Sequence, residues 1–512
     1  MKKLGVLEQV DWPEDGSNVC GSTLVCKIKR LADGSIDKYR VRWVAQGFSQ
    51  RWGMDYFETA SPVVSTFSVR ILLAIAAFTG AVAKQFDISV AFLRTMLKEK
   101  VFMAPPVGVE LPRVNGKRQC YLCRKSIYGL KQSSHGWYHK CTKELFLNHG
   151  WSRCPLDSCV FIKRSGFKFV IAALFVDDAL YISNWPEELK RFEANVRKTY
   201  QVKQFDNANW FLGMKIERDF ESGKITVSQK QFVIDAAKRY GLDMQPAPKT
   251  PCPSKHVFEA VDPEFALDKS RQKLYMEKVG TLNYIATAGI RGDVAWVTSK
   301  LGMFMQQADE SHMKIADRVI MYLAATSDYK IVFDRKFGLK PVAYSDASFA
   351  DEGKTGTNGR RRSQSGCCIH LCGPAVVYHS RGQKNVALST AESEYVALSG
   401  CVQEVIWVRR MLQFLGFEVT EPTTVFEDNE AAQALANNDT MTKKSRFVDT
   451  RFHYTREMVN EGEIEVKRCE TQFMTADIFT KAMSKELMDR HGSTICGGTP
   501  TLNFQHALAI SI

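Results

Sequence analysis

"VIAALFVDDALYIS", residues 170–183, sets two adjacent carboxylates, Asp177 and Asp178, inside an otherwise apolar run of strand formers. Burying an ionised carboxylate is costly unless it is paired, hydrogen-bonded or bound to a cation, and two side by side repel each other. A hairpin resolves the conflict. Its flanks pair in the core, while the turn carries the acids to a tip where a hard cation can be held through oxygen. An Asp-Asp turn without chemistry would look the same in isolation. The stretch "KQFDISVAFL" adds Asp87 at the end of a strand, just before a helix-like turn. Three carboxylates on two adjacent strand ends would cage two Mg²⁺ ions for phosphoryl transfer, one acting on a primer hydroxyl and the other on the leaving pyrophosphate.

The 512-residue chain has room for two to four domains. Its net charge of +13 favours a polyanionic partner, nucleic acid first. Fourteen scattered cysteines, many beside apolar residues, read as reduced thiols of an intracellular protein rather than a disulfide framework. "MKKLGVLEQVDW" lacks the apolar core of a secretory signal. The apolar run "VRILLAIAAFTGAVA" (69–83) is too short to span a bilayer and reads as a buried helix, so no membrane partner is expected.

Along the chain, "STLVCKIKR" and "KYRVRWVAQGF" form a hairpin around the turn signal Asp33-Gly34. A Pro/Gly-rich loop (104–116), a helix (134–149), a strand pair turning at Ser222-Gly223 and a helix (229–240) follow. "MQPAPKTPCPSK" (244–255), with its prolines, marks a boundary. Residues 271–326 read as helices. Beyond 329, strands "PVAYSDASF", "SGCCIHLCG" and "AVVYHSRGQ" lead to helix 390–415, strand "TTVFEDN", helix 429–437, strand "IEVKRC" and helix 475–481, the pattern of a mixed α/β sheet.

This last region carries a second set of acids: Asp346 mid-strand, Glu392 and Glu394 at a helix start, Asp428 at a strand end and Asp477 at the start of a late helix. Each alone reads as a cap or a solvated face. Together they could converge on a two-metal site where an activated water cuts a phosphodiester.

In order, "KYRVRWVAQGFSQRWGMDYFETASPVV", "QFDISVAFL", "KSIYGLKQSSHGWY" and "LFVDDALYIS" resemble the reverse transcriptase of copia-type LTR retrotransposons. The later acids resemble that family's RNase H domain. The resemblance implies an α+β and α/β multidomain chain, a right-hand palm-fingers-thumb polymerase followed by an RNase H-like mixed-sheet domain. Its expected boundaries are a shortened N-terminal segment (1–17), fingers and palm (18–253), thumb and connection (254–335), RNase H (336–482) and a tail (483–512). It implies that Asp87, Asp177 and Asp178, and separately Asp346, Glu394, Asp428 and Asp477, are catalytic metal ligands for Mg²⁺, two per site, with Mn²⁺ as the alternative. Glu394 is preferred over Glu392 because "EYVAL" fits the family pattern. Arg42 matches a fingers arginine near the incoming triphosphate, Phe92 a steric-gate aromatic, Gln132 a template- or nucleotide-contacting glutamine, and His453 one histidine of a basic segment before the last Asp.

The implied partners are an RNA template, a DNA primer, an RNA-DNA hybrid and dNTPs, with other Gag and Pol products beside them, in a cytoplasmic particle or the nucleus. The departures are Phe175 for a tyrosine, Arg94-Thr95 for Asn-Gly, Gly292 for a proline and Phe447 for a histidine. They leave open a second reading, a decayed or truncated relic that binds nucleic acid without synthesis. The tract "GRRRSQSG" (359–366) reads as a phosphate-backbone contact or a solvated loop, the contact favoured because the tract follows the first strand of the RNase H-like region. Cys120, Cys123, His135 and His139 have nearly zinc-finger spacing. Gly129 and Gly136 interrupt the helix that should carry the histidines, which argues against zinc.

Overall fold

The computed structural model describes residues 4–30, 35–205, 207–243, 246–254, 256–350, 361–437 and 449–498. The Asp33-Gly34 turn, Gly359-Arg360, Phe447 and the tail beyond Gly498 lie outside them. The chain divides into two compact units, Met1–Val64 with Lys84–Asp206, and Ser65–Ala83 with Asn207–Ile512.

The first unit is built on a six-stranded sheet in the order Val202–Phe205, Val82–Ile88, Asp178–Ser183, Lys168–Phe175, Val160–Ser165 and Ser152–Arg153. Phe169 through Leu174 and Ala179 through Ile182 are all buried. That explains why these strands read as continuous apolar runs rather than as an alternation. Helices Ser133–Leu145 and Pro186–Thr199 belong to the same unit. Their aromatic contacts include Phe146 stacked on Phe161 at 4.2 Å and Phe192 against Trp151 and Tyr181. A separate hairpin, Ser22–Arg30 with Ile36–Ala45, pairs Leu24 with Trp43, Cys26 with Val41 and Ile28 with Tyr39 on one face. The other face pairs Val25 with Arg42 and Lys27 with Arg40. Alternation thus makes one face apolar and the other basic.

The second unit contains a helix, Thr66–Thr79, from the apolar run read as one helix over 69–83. The structure divides that run: Gly80 takes φ 74° as a left-handed cap, and strand Val82–Ile88 begins two residues later. Arg70 on this helix is buried and donates to the carbonyls of Val376 and Gly289 and to Tyr378 Oη. A small sheet pairs Ile225–Ser228 with Met214–Arg218 and with Lys330–Phe333. Helices Lys269–Asn283, Ala295–Gly302 and Glu310–Ala325 occupy the segment between. Beside them Arg291 and Asp293 form a buried two-point ion pair at 2.8 and 2.9 Å. A Cβ at the intervening Gly292 would come within 3.4 Å of Tyr378 and Phe479, so the glycine fits its crowded place.

The final sheet has the order Ala375–Gly382, Gln364–His370, Val342–Ser348, Thr423–Glu427, Ile464–Arg468. The first three strands are antiparallel and the last two run parallel to Val342–Ser348. Helix Thr390–Phe414 covers it. This is the RNase H-like mixed sheet. The late helix expected at 475–481 is instead a 3₁₀ segment, Thr475–Phe479. Asp477 N bonds to Met474 O and Thr480 N to Asp477 O, a tighter three-residue closure.

Candidate active sites

In the first unit, Asp177 follows Val176 in the turn between Lys168–Phe175 and Asp178–Ser183, with Phe175 facing Asp178. Val176 has φ 56°, an expensive conformation for a β-branched residue. Trp137 Nε1 donates to its carbonyl at 2.6 Å and fixes the turn. Ile88 N donates to Asp177 O at 2.8 Å, which ties the turn to the strand carrying Asp87. All three acids are half-buried. Burial, then Asp177 and Asp87, push the Asp178 carboxyl up to about 7. Burial and Asp87 raise Asp177 against the opposing pull of Arg40 and Arg42 on the basic hairpin face.

Arg42 lies over the Tyr128 ring at 5.0 Å and leaves its buried Nε without a hydrogen-bond partner. Phe92 packs edge-on against the same ring at 5.1 Å. Tyr128, which sequence reasoning did not single out although it lies in "SIYGLKQ", is therefore the common support of both. Gln132 is buried, and both ends of its amide are used within the protein. Nε2 donates to Asp55 O at 2.7 Å, and Oε1 accepts from Gln50 at 3.0 Å. The structure thus gives Gln132 a loop-bracing contact.

In the second unit, oxygens of Asp346, Glu394 and Asp428 all lie within 4.8 Å of one another. Among the described residues this is the one such group, and Asp87, Asp177 and Asp178 do not form another. Glu392 and Glu394 separate cleanly. Ser389 Oγ accepts from Glu392 N as the helix N-cap, and Glu392 Oε2 turns back to accept from Leu388 N at 2.8 Å, just before the helix. Glu394 instead enters the cluster. Burial, then Asp346 and Asp428, push its carboxyl up to about 9, and its Oε2 is buried with no hydrogen-bond partner.

Asp477 adjoins Asp346 without joining the close group. Burial and Asp346 raise it to about 8, while Lys481 Nζ pairs with its Oδ1 at 2.8 Å. Thr480 Oγ1 donates to Asp346 Oδ2, and Thr471 Oγ1 to Asp428 Oδ2 at 2.9 Å. Sequence reasoning missed Lys481 and also Glu427, a fully buried acid beside Asp428 raised by burial and by Glu394. Like charges gathered in a dry site, an orphaned oxygen and hard oxygen donors fit a divalent cation. His453 is exposed on helix Asp449–Asn460.

The Cys/His spacing leads elsewhere. Cys120 and Cys123, three apart on strand Gln119–Lys125, point to opposite faces, and Cys123 packs with Val6, Cys20, Val101 and Met103. His135 is engaged by Ala60 O at 2.7 Å and Glu58 at 2.9 Å.

Residues 5–253 match the reverse transcriptase (RNA-dependent DNA polymerase) family model. The chain is 30% identical over 508 residues to the retrovirus-related Pol polyprotein from transposon TNT 1-94 of Nicotiana tabacum, covering 96% of this chain and 37% of that protein. It is 30% identical over 488 residues to the Pol polyprotein from transposon RE1 of Arabidopsis thaliana, covering 94% and 32%. Among solved structures, a foamy viral protease-reverse transcriptase in complex with dsDNA aligns at a TM-score of 0.47 and 13% identity, covering 92% of this chain and 80% of that one. The family model and the Pol polyprotein relatives define a reverse transcriptase-family protein, and the chain belongs to the copia-type retrotransposon Pol polyproteins. It spans about a third of the length of the curated relatives it matches.

Proposed function

We propose that the chain is an RNA-directed DNA polymerase with an associated ribonuclease H that cleaves the RNA strand of RNA-DNA hybrids. The observation that carries the reading is the pair of oxygen-donor sets, the first at adjoining strand ends and the second drawn from a strand, a helix, a strand end and a 3₁₀ segment, each held by the fold of its own unit. Bound there, two Mg²⁺ ions per site, or Mn²⁺, would neutralise developing charge and activate the attacking hydroxyl or water. Asp87, Asp177 and Asp178 would hold them in the first unit, and Asp346, Glu394, Asp428 and Asp477 in the second. Arg42, with an unused Nε, would meet the triphosphate of an incoming dNTP. Phe92, backed by Tyr128, would exclude a ribose 2′-hydroxyl sterically. The net charge of +13 supports template, primer and hybrid as partners, gripped through their backbones.

Primer extension on an RNA template, comparing the chain with Asp177→Asn/Asp178→Asn, tests the first activity. Cleavage of a labelled hybrid, comparing it with Asp346→Asn, tests the second. Synthesis and cleavage each lost only in its own variant is the expected result. Nucleic-acid binding without either activity would favour the relic reading.

A further inference from the structure

The nuclease-like set contains a positive charge of its own. Lys481 lies four residues beyond Asp477 and pairs with it at 2.8 Å, and the intervening Thr480 bonds Asp346. The same ammonium acts electrostatically on Asp346, Glu394 and Asp428. Three of the four carboxylates gather within 4.8 Å, and the one that stays out, Asp477, is the one holding the lysine.

Resting on the reading that this set takes divalent cations, we propose that Lys481 is a built-in cation of the site. Its ammonium occupies the Asp477 side, so the folded chain offers Asp346, Glu394 and Asp428 to a single divalent ion. A second ion gains Asp477 only when the lysine swings out. The movement is available, because the Lys481 side chain is 43% exposed while its partner Asp477 is 4% exposed. A flexible four-carbon stem carries the charge, and its tip can find water or a phosphate oxygen instead. Lys481 is thus a positioning residue that sets how many ions the site holds.

The test counts Mn²⁺ on the full chain carrying Asp177→Asn/Asp178→Asn, which silences the other carboxylate set. Bound ion is read from loss of the free-Mn²⁺ paramagnetic resonance signal, with melting temperature as a second readout. The parent is expected to bind one Mn²⁺ that disappears when Asp346→Asn is added. Lys481→Met should bind a second ion, or bind the first about tenfold or more tightly, since a unit charge a few ångströms from the ion is removed. Lys481→Gln, which keeps a polar tip, should follow Lys481→Met. Lys481→Arg, which keeps the charge, should behave as the parent. Lys481→Met matching the parent in number and affinity overturns the proposal, as does Lys481→Arg changing as much as Lys481→Met. If no form shows an Asp346-dependent ion, the cation reading of the whole set fails and this inference falls with it.

Discussion

Replacing Glu394 with glutamine should stabilise the metal-free protein. The buried Glu394 carboxyl is held at about 9 against an ordinary 4.5, first by burial and then by Asp346 and Asp428. The folded state therefore prefers the protonated form. Below the ordinary value both folded and unfolded chains keep the proton, and nothing is lost. As pH rises from there, only the unfolded chain releases it, so stability falls until the folded carboxyl ionises too. At about 1.4 kcal/mol per pH unit, the whole span amounts to about 6 kcal/mol. Asp346, Asp428 and Asp477 share that electrostatic burden, so one substitution should recover about half, roughly 3 kcal/mol. The amide keeps an acceptor for the Ala347 N–H and places a donor where the orphaned Oε2 now sits. For a unit of more than 300 residues, roughly 3 kcal/mol is a rise of about 4–5 °C in melting temperature. The assay is thermal unfolding in chelator at pH 5 and pH 8, then with excess Mg²⁺. The difference between variant and parent should be small at pH 5 and large at pH 8. Mg²⁺ should stabilise the parent more than the variant. A variant that melts at or below the parent at pH 8 in chelator would refute the view that carboxylate crowding strains this site.

Other expectations follow from single contacts. Because Asp178 is held at about 7, protons compete with cations below that pH. The Mg²⁺ concentration for half-maximal primer extension should fall about tenfold from pH 6 to pH 8, most of it below pH 7, and then level off, and a flat profile would count against it. Arg291→Leu strands the buried Asp293 carboxylate and should cost about 3–5 kcal/mol in denaturant unfolding, more than Arg291→Leu/Asp293→Leu together. Equal losses would show that the pair is not coupled. Phe92→Ala should raise ribonucleotide over deoxyribonucleotide incorporation roughly 10- to 100-fold, the ~1–3 kcal/mol of one relieved clash. An unchanged ratio would reduce Phe92 to packing against Tyr128.

Elements whose signals are local could be read from the residues alone. Two acids inside an apolar strand run demand a turn, so the Asp177–Asp178 hairpin was legible from period and charge alone. Alternation around Asp346 likewise marked its strand, and the turn signal at Ser222-Gly223 marked the pairing of Met214–Arg218 with Ile225–Ser228. Glu394 was legible by family pattern. That Glu392 turns back to Leu388, just before its own helix, is a matter of side-chain direction, which the letters do not carry.

Contacts made across long sequence separations emerged only from the folded chain. Arg70 reads as an odd charge in an apolar helix. Its acceptors Gly289 and Val376 are 219 and 306 residues away, and no local pattern announces them. That Gln132 meets Gln50 and Asp55, more than 70 residues upstream, is likewise written nowhere near it in the chain. Lys481 reads as a surface lysine until the chain wraps Asp477 beside Asp346. The physical reason is the same throughout: backbone propensity and hydrophobic period are short-range and written along the chain. The charge a group feels depends on which distant carboxylates, carbonyls and rings share its dry space, and that is settled only when the chain closes around them.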